Sequence, residues 1–299
     1  MVFLGKILAA VFAWGAYVVL RLAGWKRKTV LANAKHVKIL LDYNILLKNL
    51  TCHASELLFC FGTFKKLPHD FSAYPCRVDG WDFALDEAAI PVLEKMRSGG
   101  IFLTAHYANY EAMGPWLCRL GIPLVASYIP VKPKWLNNIL ERKIRAVDGR
   151  SYSVDARTPR DFLRILNDGK LFCLLSDQDS RIPSAIDGTL LGQPANVNPL
   201  PDFLLEHRPQ TPVFICWMEE VCEVRVLHAI EVERAQVPGA AHLASPAQSN
   251  GASPAQSSSS IVNTQFNKWL EQRILENPNL WYSFTHRRFY SRSPEIYGG

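Results

Sequence analysis

The chain of 299 residues contains no Cys-x-x-Cys pair and no cysteine–histidine spacing of a zinc site. Its seven cysteines, at 52, 60, 76, 118, 173, 216 and 222, are odd in number and follow no regular interval. They read as small buried hydrophobes in a reducing compartment, so neither a structural metal nor a disulfide framework is expected. The Gly-x-Ser-x-Gly elbow, the glycine-rich phosphate loop and the Gly-x-Gly-x-x-Gly dinucleotide turn are also missing, which removes the commonest signatures of serine hydrolases and nucleotide enzymes. Charge is only mildly unbalanced. Lys+Arg 33 against Asp+Glu 27 leave a formal +6, which suits an anionic membrane surface or an acidic protein partner better than nucleic-acid reading; no nucleic-acid partner is expected.

Apolar residues, in contrast, are plentiful: 48% of the chain is hydrophobic, ample for a large core. Residues 2–20, VFLGKILAAVFAWGAYVVL, are apolar except for Lys6, and Arg21, Lys26, Arg27 and Lys28 follow. This stretch just reaches the ~20 residues that cross a hydrocarbon core as a helix. Trp14, Tyr17 and Trp25 stand where interfacial aromatics sit, with the cations beyond them. Residues 1–25 are therefore expected to form an uncleaved membrane anchor, spanning or half-inserted, with residues 26–299 on the cytoplasmic side against anionic membrane lipids.

Beyond the anchor, residues 33–64 carry apolar positions at three- and four-residue intervals, as amphipathic helices do. Short apolar runs at 101–103, 124–128, 171–175, 213–217 and 224–230 predict strands, and 86–97, 134–146 and 159–167 predict helices between them. Thr158-Pro159 has the form of an N-cap followed by a proline in the first helical position. Strands alternating with helices predict an α/β fold, a mixed but largely parallel sheet flanked by helices. Residues 237–260, with ASPAQS twice and then a serine run, cannot bury enough apolar area to fold and are expected to be a disordered loop. A last amphipathic helix is expected over 261–276, stopped by Asn277-Pro278.

One polar cluster follows an apolar strand. In TAHYANYEAMG, residues 104–114, His106 lies just past the strand end, where sites gather in parallel sheets, and Glu111 falls five positions later. If Glu111 occupies the first turn of the next helix, it can hold the imidazole in one tautomer and stabilise its charged form, with Asn109 as helix cap. That is a general base with its orienting acid. No nucleophile motif accompanies it, so the nucleophile comes from the substrate. Among the other histidines, His36, His53, His207 and His228 have no partner spacing and read as structural.

Several stretches together resemble the late acyltransferases of lipid A biosynthesis, the lauroyl and myristoyl transferases of the lysophospholipid acyltransferase superfamily. After the anchor, residues 98–111 (SGGIFLTAHYANYE) look like the family's glycine, strand and His-x4-acid block, with Ala108 in place of its glycine and Tyr110 in place of its tryptophan. RKIRAVDG (142–149) is similar to an arginine-bearing helix end, LLSDQD (174–179) to the family's Asp-Gln-Asp block, LGQPA (191–195) to its glycine-proline-alanine turn, and WYSFTHRRF (281–289) to its closing signature. The resemblance implies a glycerolipid-acyltransferase-like fold and transfer of an acyl chain from acyl carrier protein to a hydroxyl of a Kdo-lipid IVA-type lipid A precursor, at the inner membrane. It needs no cofactor beyond the acyl donor. His106 and Glu111 would be catalytic. Asn109, Arg145, Asp177 and Gln178 would bind substrate or the oxyanion, and Arg287 and Arg288, cations near the chain end, would hold phosphates or anionic lipid. Other acceptors, a glycerophospholipid or a phosphatidylinositol mannoside, fit the same His-acid pair, and a membrane-tethered lipid-binding protein without turnover is the alternative of another class.

Overall fold

A computed structural model describes residues 2–59, 61–128, 132–233 and 259–298. Three helices come first: α1 (Val2–Leu22), α2 (Arg27–His36) and α3 (Tyr43–Phe59). Then β1 (Cys76–Val78) and β2 (Trp81–Leu85) pair as an antiparallel hairpin around Asp79 and Gly80, both at positive φ, the backbone that a tight two-residue hairpin turn demands. Next come α4 (Ile90–Met96), β3 (Gly100–Thr104), α5 (Tyr110–Arg119) and β4 (Leu124–Ser127). A helix α6 (Lys134–Ile139) runs on into a π turn, Leu140–Ile144, and leads to short strands β5 (Ala146–Val147), β6 (Arg150–Ser151) and β7 (Ser153–Val154). The chain continues with α7 (Pro159–Asn167), β8 (Leu171–Leu175), the hairpin β9 (Ile186–Leu190) and β10 (Gln193–Val197), α8 (Leu200–His207), the long hairpin β11 (Val213–Val221) and β12 (Val224–Glu231), and α9 (Ser259–Glu276). The expected loop at 237–260 lies outside the described residues, except that Ser259 and Ser260 already belong to α9.

Eight strands form one sheet in the order β1-β2-β12-β11-β3-β8-β4-β7. The two hairpins within it are antiparallel and every other pairing is parallel, so the expected α/β architecture is present. Side-chain alternation sorts the core into two layers. Ile101, Leu103, Phe172, Leu174, Val213 and Ile215 face one way, toward α8 and α9. Phe102, Leu171, Phe214 and Cys216 face the other, toward α4 and α5. Because helices cover both faces, β3 is buried at every residue and reads as an unbroken apolar run. The Gly99-Gly100 pair before it is required by close backbone approach: a Cβ would lie 2.5 Å from Gly169 O at Gly99 and 2.7 Å from Pro212 O at Gly100, and both residues have positive φ.

The predicted cap of α7 is a full capping box, in which Thr158 accepts from the Asp161 backbone and the Asp161 carboxylate accepts in return. The β1–β2 and β9–β10 hairpins were not foreseen. They are short and only partly buried, without a sustained apolar period. Among the described residues six cysteines are free thiols, and no cluster of three or more His, Cys, Asp or Glu could hold a metal ion.

Close packing also yields a stability prediction. On α5, a Cβ at Gly114 would meet the buried Tyr152 hydroxyl at 2.4 Å and its ring at 2.6 Å. Gly114→Ala should lower unfolding free energy by about 1–3 kcal/mol, the usual cost of overpacking, despite alanine's better helix propensity. The midpoint of urea unfolding measures it.

Candidate active site

The centre of the site follows from strand register. β3 and β8 are parallel neighbours with Thr104 opposite Leu175, so His106 and Asp177 each lie two residues past the same rung. The pairing persists beyond the strands, as the Ser176 N–H donates to Thr104 O at 3.1 Å. His106 Nδ1 is then 2.8 Å from Asp177 Oδ1, and the His106 backbone N–H donates to Asp177 Oδ2 at 3.1 Å.

Two further donors reach the same Oδ2 from the C-terminal segment, Trp281 Nε1–H at 2.9 Å and Ser283 Oγ–H at 2.6 Å. That segment is laid beside the site by backbone bonds: Tyr282 N–H to His106 O, and Ala108 N–H to Leu280 O. The Asp177 carboxylate is wholly buried, yet three donors and an imidazole surround it. Burial alone would raise its pKa. The adjacent imidazole and these donors outweigh burial and hold the group well below the ordinary carboxylate range.

For His106 the same balance runs the other way. Burial disfavours the imidazolium, but the Asp177 charge, its hydrogen bond and the charge of Glu111 prevail, and the pKa is raised above the usual histidine value. With Nδ1–H given to Asp177, the neutral ring carries its lone pair on Nε2. Among the described residues, the one hydrogen-bonding neighbour of Nε2 is Gln178 Nε2, at a long 3.5 Å. The imidazole remains 20% exposed.

The expected pairing of His106 with Glu111 is corrected here. Glu111 does stand in the first turn of α5, but its side chain turns away and accepts from Arg145 Nη2 at 3.0 Å. The orienting acid is Asp177, whose position depends on a neighbouring strand and not on spacing along the chain. Glu111 acts on the imidazole through space, as a second negative charge. Arg145, foreseen as an oxyanion or phosphate ligand, is bound to Glu111 and lies 5.4 Å from the Tyr128 ring. Beside this pair opens a cavity of about 70 Å³ whose walls include Phe102, Met113, Leu124, Tyr152 and Cys173.

Asn109 is also corrected. It occupies the N-cap position of α5, but its side chain does not cap. It turns to α3, where Nδ2 donates to Glu56 Oε2 at 2.8 Å and Oδ1 lies 2.9 Å from His53 Nδ1. Glu56 in turn accepts from the buried Arg225 at 2.8 Å. Since the carboxylate only accepts, Asn109 presents its oxygen to His53, which must therefore be protonated on Nδ1. His53 stacks on Tyr282 and meets the Tyr110 ring at a tilt, and burial pushes its pKa down to about 4, so this ring stays neutral at working pH. In the sequence His53 has no partner at a recognisable spacing, because Asn109 and Glu111 stand more than fifty residues away.

The two cations of the closing segment separate. Arg287 is exposed beside Tyr290 and Tyr297. Arg288, expected to hold phosphate or anionic lipid beside it, is instead buried and donates Nη1–H to Asn196 O at 3.0 Å. Its neighbours Asp177 and Asp179 attract the charge that burial disfavours. Trp281 and Ser283 belong to the site, although the sequence marks them only as part of the closing segment; their separation by two residues is the signal that both can reach one point.

No protein-family model matches this chain, and no curated protein matches it.

Proposed function

We propose that this chain is an O-acyltransferase that moves a fatty acyl chain from an acyl carrier protein thioester to a hydroxyl of a lipid A precursor at the cytoplasmic face of the inner membrane. The observation that carries the reading is the His106–Asp177 pair: a buried carboxylate fixes the imidazole with the Nε2 lone pair outward, met only by the Gln178 amide at 3.5 Å, and no side-chain nucleophile is hydrogen-bonded to that nitrogen among the described residues. Such a base suits a substrate that brings its own hydroxyl.

In this reading His106 Nε2 takes the acceptor's hydroxyl proton as the oxygen attacks the thioester carbonyl. A tetrahedral oxyanion forms, the carbon–sulfur bond breaks, and the imidazolium returns its proton to the leaving thiolate. Asp177 balances the imidazolium and keeps its orientation. The Gln178 amide and the Arg145 guanidinium are the nearby donors for oxyanion or substrate phosphate, and the small, largely apolar slot beside Arg145 suits the first few methylenes of an acyl chain. The net positive charge supports an acidic carrier protein. Membrane attachment is supported by α1, the one described helix long and apolar enough to cross a bilayer. The resemblance in the His106, Asp-Gln-Asp and closing segments supports the lipid A acceptor.

The test uses the purified chain with an acyl carrier protein thioester and, in parallel, a phosphorylated glucosamine-disaccharide lipid or a lysophospholipid. Mass spectrometry should show one added acyl group on the disaccharide lipid. Acylation of the lysophospholipid alone would move the reading to a glycerophospholipid acceptor, and no acylation of either would leave a lipid-binding role.

A further inference from the structure

Helix α1 is not a stalk. It lies along the domain for its whole length. Near its start, Lys6 Nζ donates to Gly80 O at 2.9 Å and sits 4.1 Å from the Trp81 ring, at the β1–β2 hairpin. Midway, Ala9 and Ala13 are buried and the Phe12 ring lies 5.6 Å from that of Phe59 at the end of α3. Past its end, the Tyr43 hydroxyl at the start of α3 donates to Trp25 O at 2.8 Å. The two helices are thus antiparallel partners, held together at both ends. α3 cannot follow α1 across a bilayer, because its other face carries His53 and Glu56 into the polar network behind Asn109.

The outer face of α1 is nonetheless apolar. Leu8, Val11, Val19 and Leu22 lie within one arc of the helix and are all exposed. Beside its C-terminal end opens a groove of about 710 Å³, lined by Arg21 and Arg27 together with Leu31, Leu40, Leu41 and Tyr43. Leu40 is 97% exposed there. Among the described residues neither arginine is paired with a carboxylate, and Asp42, which also lines the groove, is engaged by the backbone N–H groups of Asn44 and Ile45. An apolar helix face ending near two guanidinium groups without carboxylate partners, one of them over the Tyr17 ring at 5.9 Å, matches the boundary of an anionic lipid leaflet, acyl chains on one side and phosphates on the other.

We infer that α1 lies in the plane of the membrane surface and does not cross it, with its outer face among acyl chains and the Arg21–Arg27 groove seating the phosphate of an anionic phospholipid. This rests on the membrane attachment proposed above and selects between spanning and half-inserted anchors. Both ends of α1, and the catalytic domain with them, then stay on one side of the bilayer.

The full chain, in a background lacking the exposed thiols Cys52 and Cys222, is spin-labelled one site at a time at Leu8→Cys, Val11→Cys, Val19→Cys and Leu22→Cys. It is then placed in phosphatidylcholine vesicles with and without phosphatidylglycerol. All four labels are expected at a common depth of about 5–10 Å. Depths spread by roughly 20 Å along the helix, its rise over that span, overturn the in-plane orientation, and labels that stay aqueous overturn docking altogether.

Arg21→Gln with Arg27→Gln should lower the preference for phosphatidylglycerol vesicles by roughly 30-fold with the thermal midpoint unchanged. An unchanged preference overturns the groove, as does release of the wild-type chain by millimolar inorganic phosphate, which would mark a free-phosphate site. Depth and partition are read without turnover, so a chain that docks in plane but transfers no acyl group sinks the acyltransferase reading alone.

Discussion

On the proposed reaction, His106→Ala is expected to lower acyl transfer by roughly 10²–10⁴-fold, the usual contribution of a positioned general base. The change removes the Nε2 lone pair and nothing else that could take the acceptor's proton. Asp177 keeps three donors on Oδ2, from the backbone N–H of residue 106 and from Trp281 and Ser283, so the surrounding structure is retained. Oδ1 loses its partner at a buried position, and a stability cost of about 1–3 kcal/mol should accompany the kinetic one. His106→Gln supplies an amide N–H for Asp177 and should recover stability without recovering rate. Thermal midpoints beside single-turnover rates separate the two effects, and a rate left within a few-fold of wild type in either variant removes His106 from the base role. In the wild type the pH profile carries the same information. The base works only when neutral, and the Asp177 charge raises its pKa, so kcat/KM should fall below an apparent pKa that lies above the ordinary 6.5. An acid limb below that value would show that Asp177 does not govern the titration.

The strand–helix alternation was legible because it rests on local periodicity. The buried run of β3 and the cap of α7 are examples, each decided by residues a few positions apart. His106 was legible for the same reason, as an imidazole just beyond an apolar strand. Its partner was not. Glu111 was the nearest acid in sequence, whereas Asp177 stands 71 residues away and is brought in by the parallel register of β3 with β8. Register between strands joined by a long crossover leaves little trace in either strand's own pattern. Asn109 shows the same limit. Its place at the start of α5 was readable, but the side chain answers to His53 and Glu56 on a helix more than fifty residues earlier. In the sequence Arg288 reads, together with Arg287, as a ligand for phosphates or anionic lipid. It is buried because the closing segment runs inward beside His106, an arrangement fixed by backbone bonds to residues 106 and 108.

Asp177→Asn is the sharper test, because the change alters one oxygen and leaves the volume alone. Three donors converge on Oδ2: the His106 backbone N–H, Trp281 Nε1–H and Ser283 Oγ–H. An asparagine here must turn its amide oxygen toward them, since its NH₂ group would otherwise meet two N–H donors in a buried place. The NH₂ then faces His106 Nδ1 and donates to it, which reverses the hydrogen bond present in the wild type. Nδ1 becomes the acceptor, the ring proton moves to Nε2, and the nitrogen that should take the acceptor's proton already carries one. Turnover is expected to fall by roughly 10³–10⁴-fold, the scale of a wrong-tautomer base, in a chain whose geometry is nearly unchanged. The charge that favours the imidazolium is lost as well, so the residual activity should keep its acid limb at lower pH than wild type. NMR of the ring nitrogens would show the proton exchanged from Nδ1 to Nε2. By comparison Glu111→Gln leaves the Nδ1 partner in place, removes only a charge acting through space, and should cost far less. If Glu111→Gln proves the more damaging of the two, the orienting acid is Glu111 and the assignment made from β3–β8 register fails.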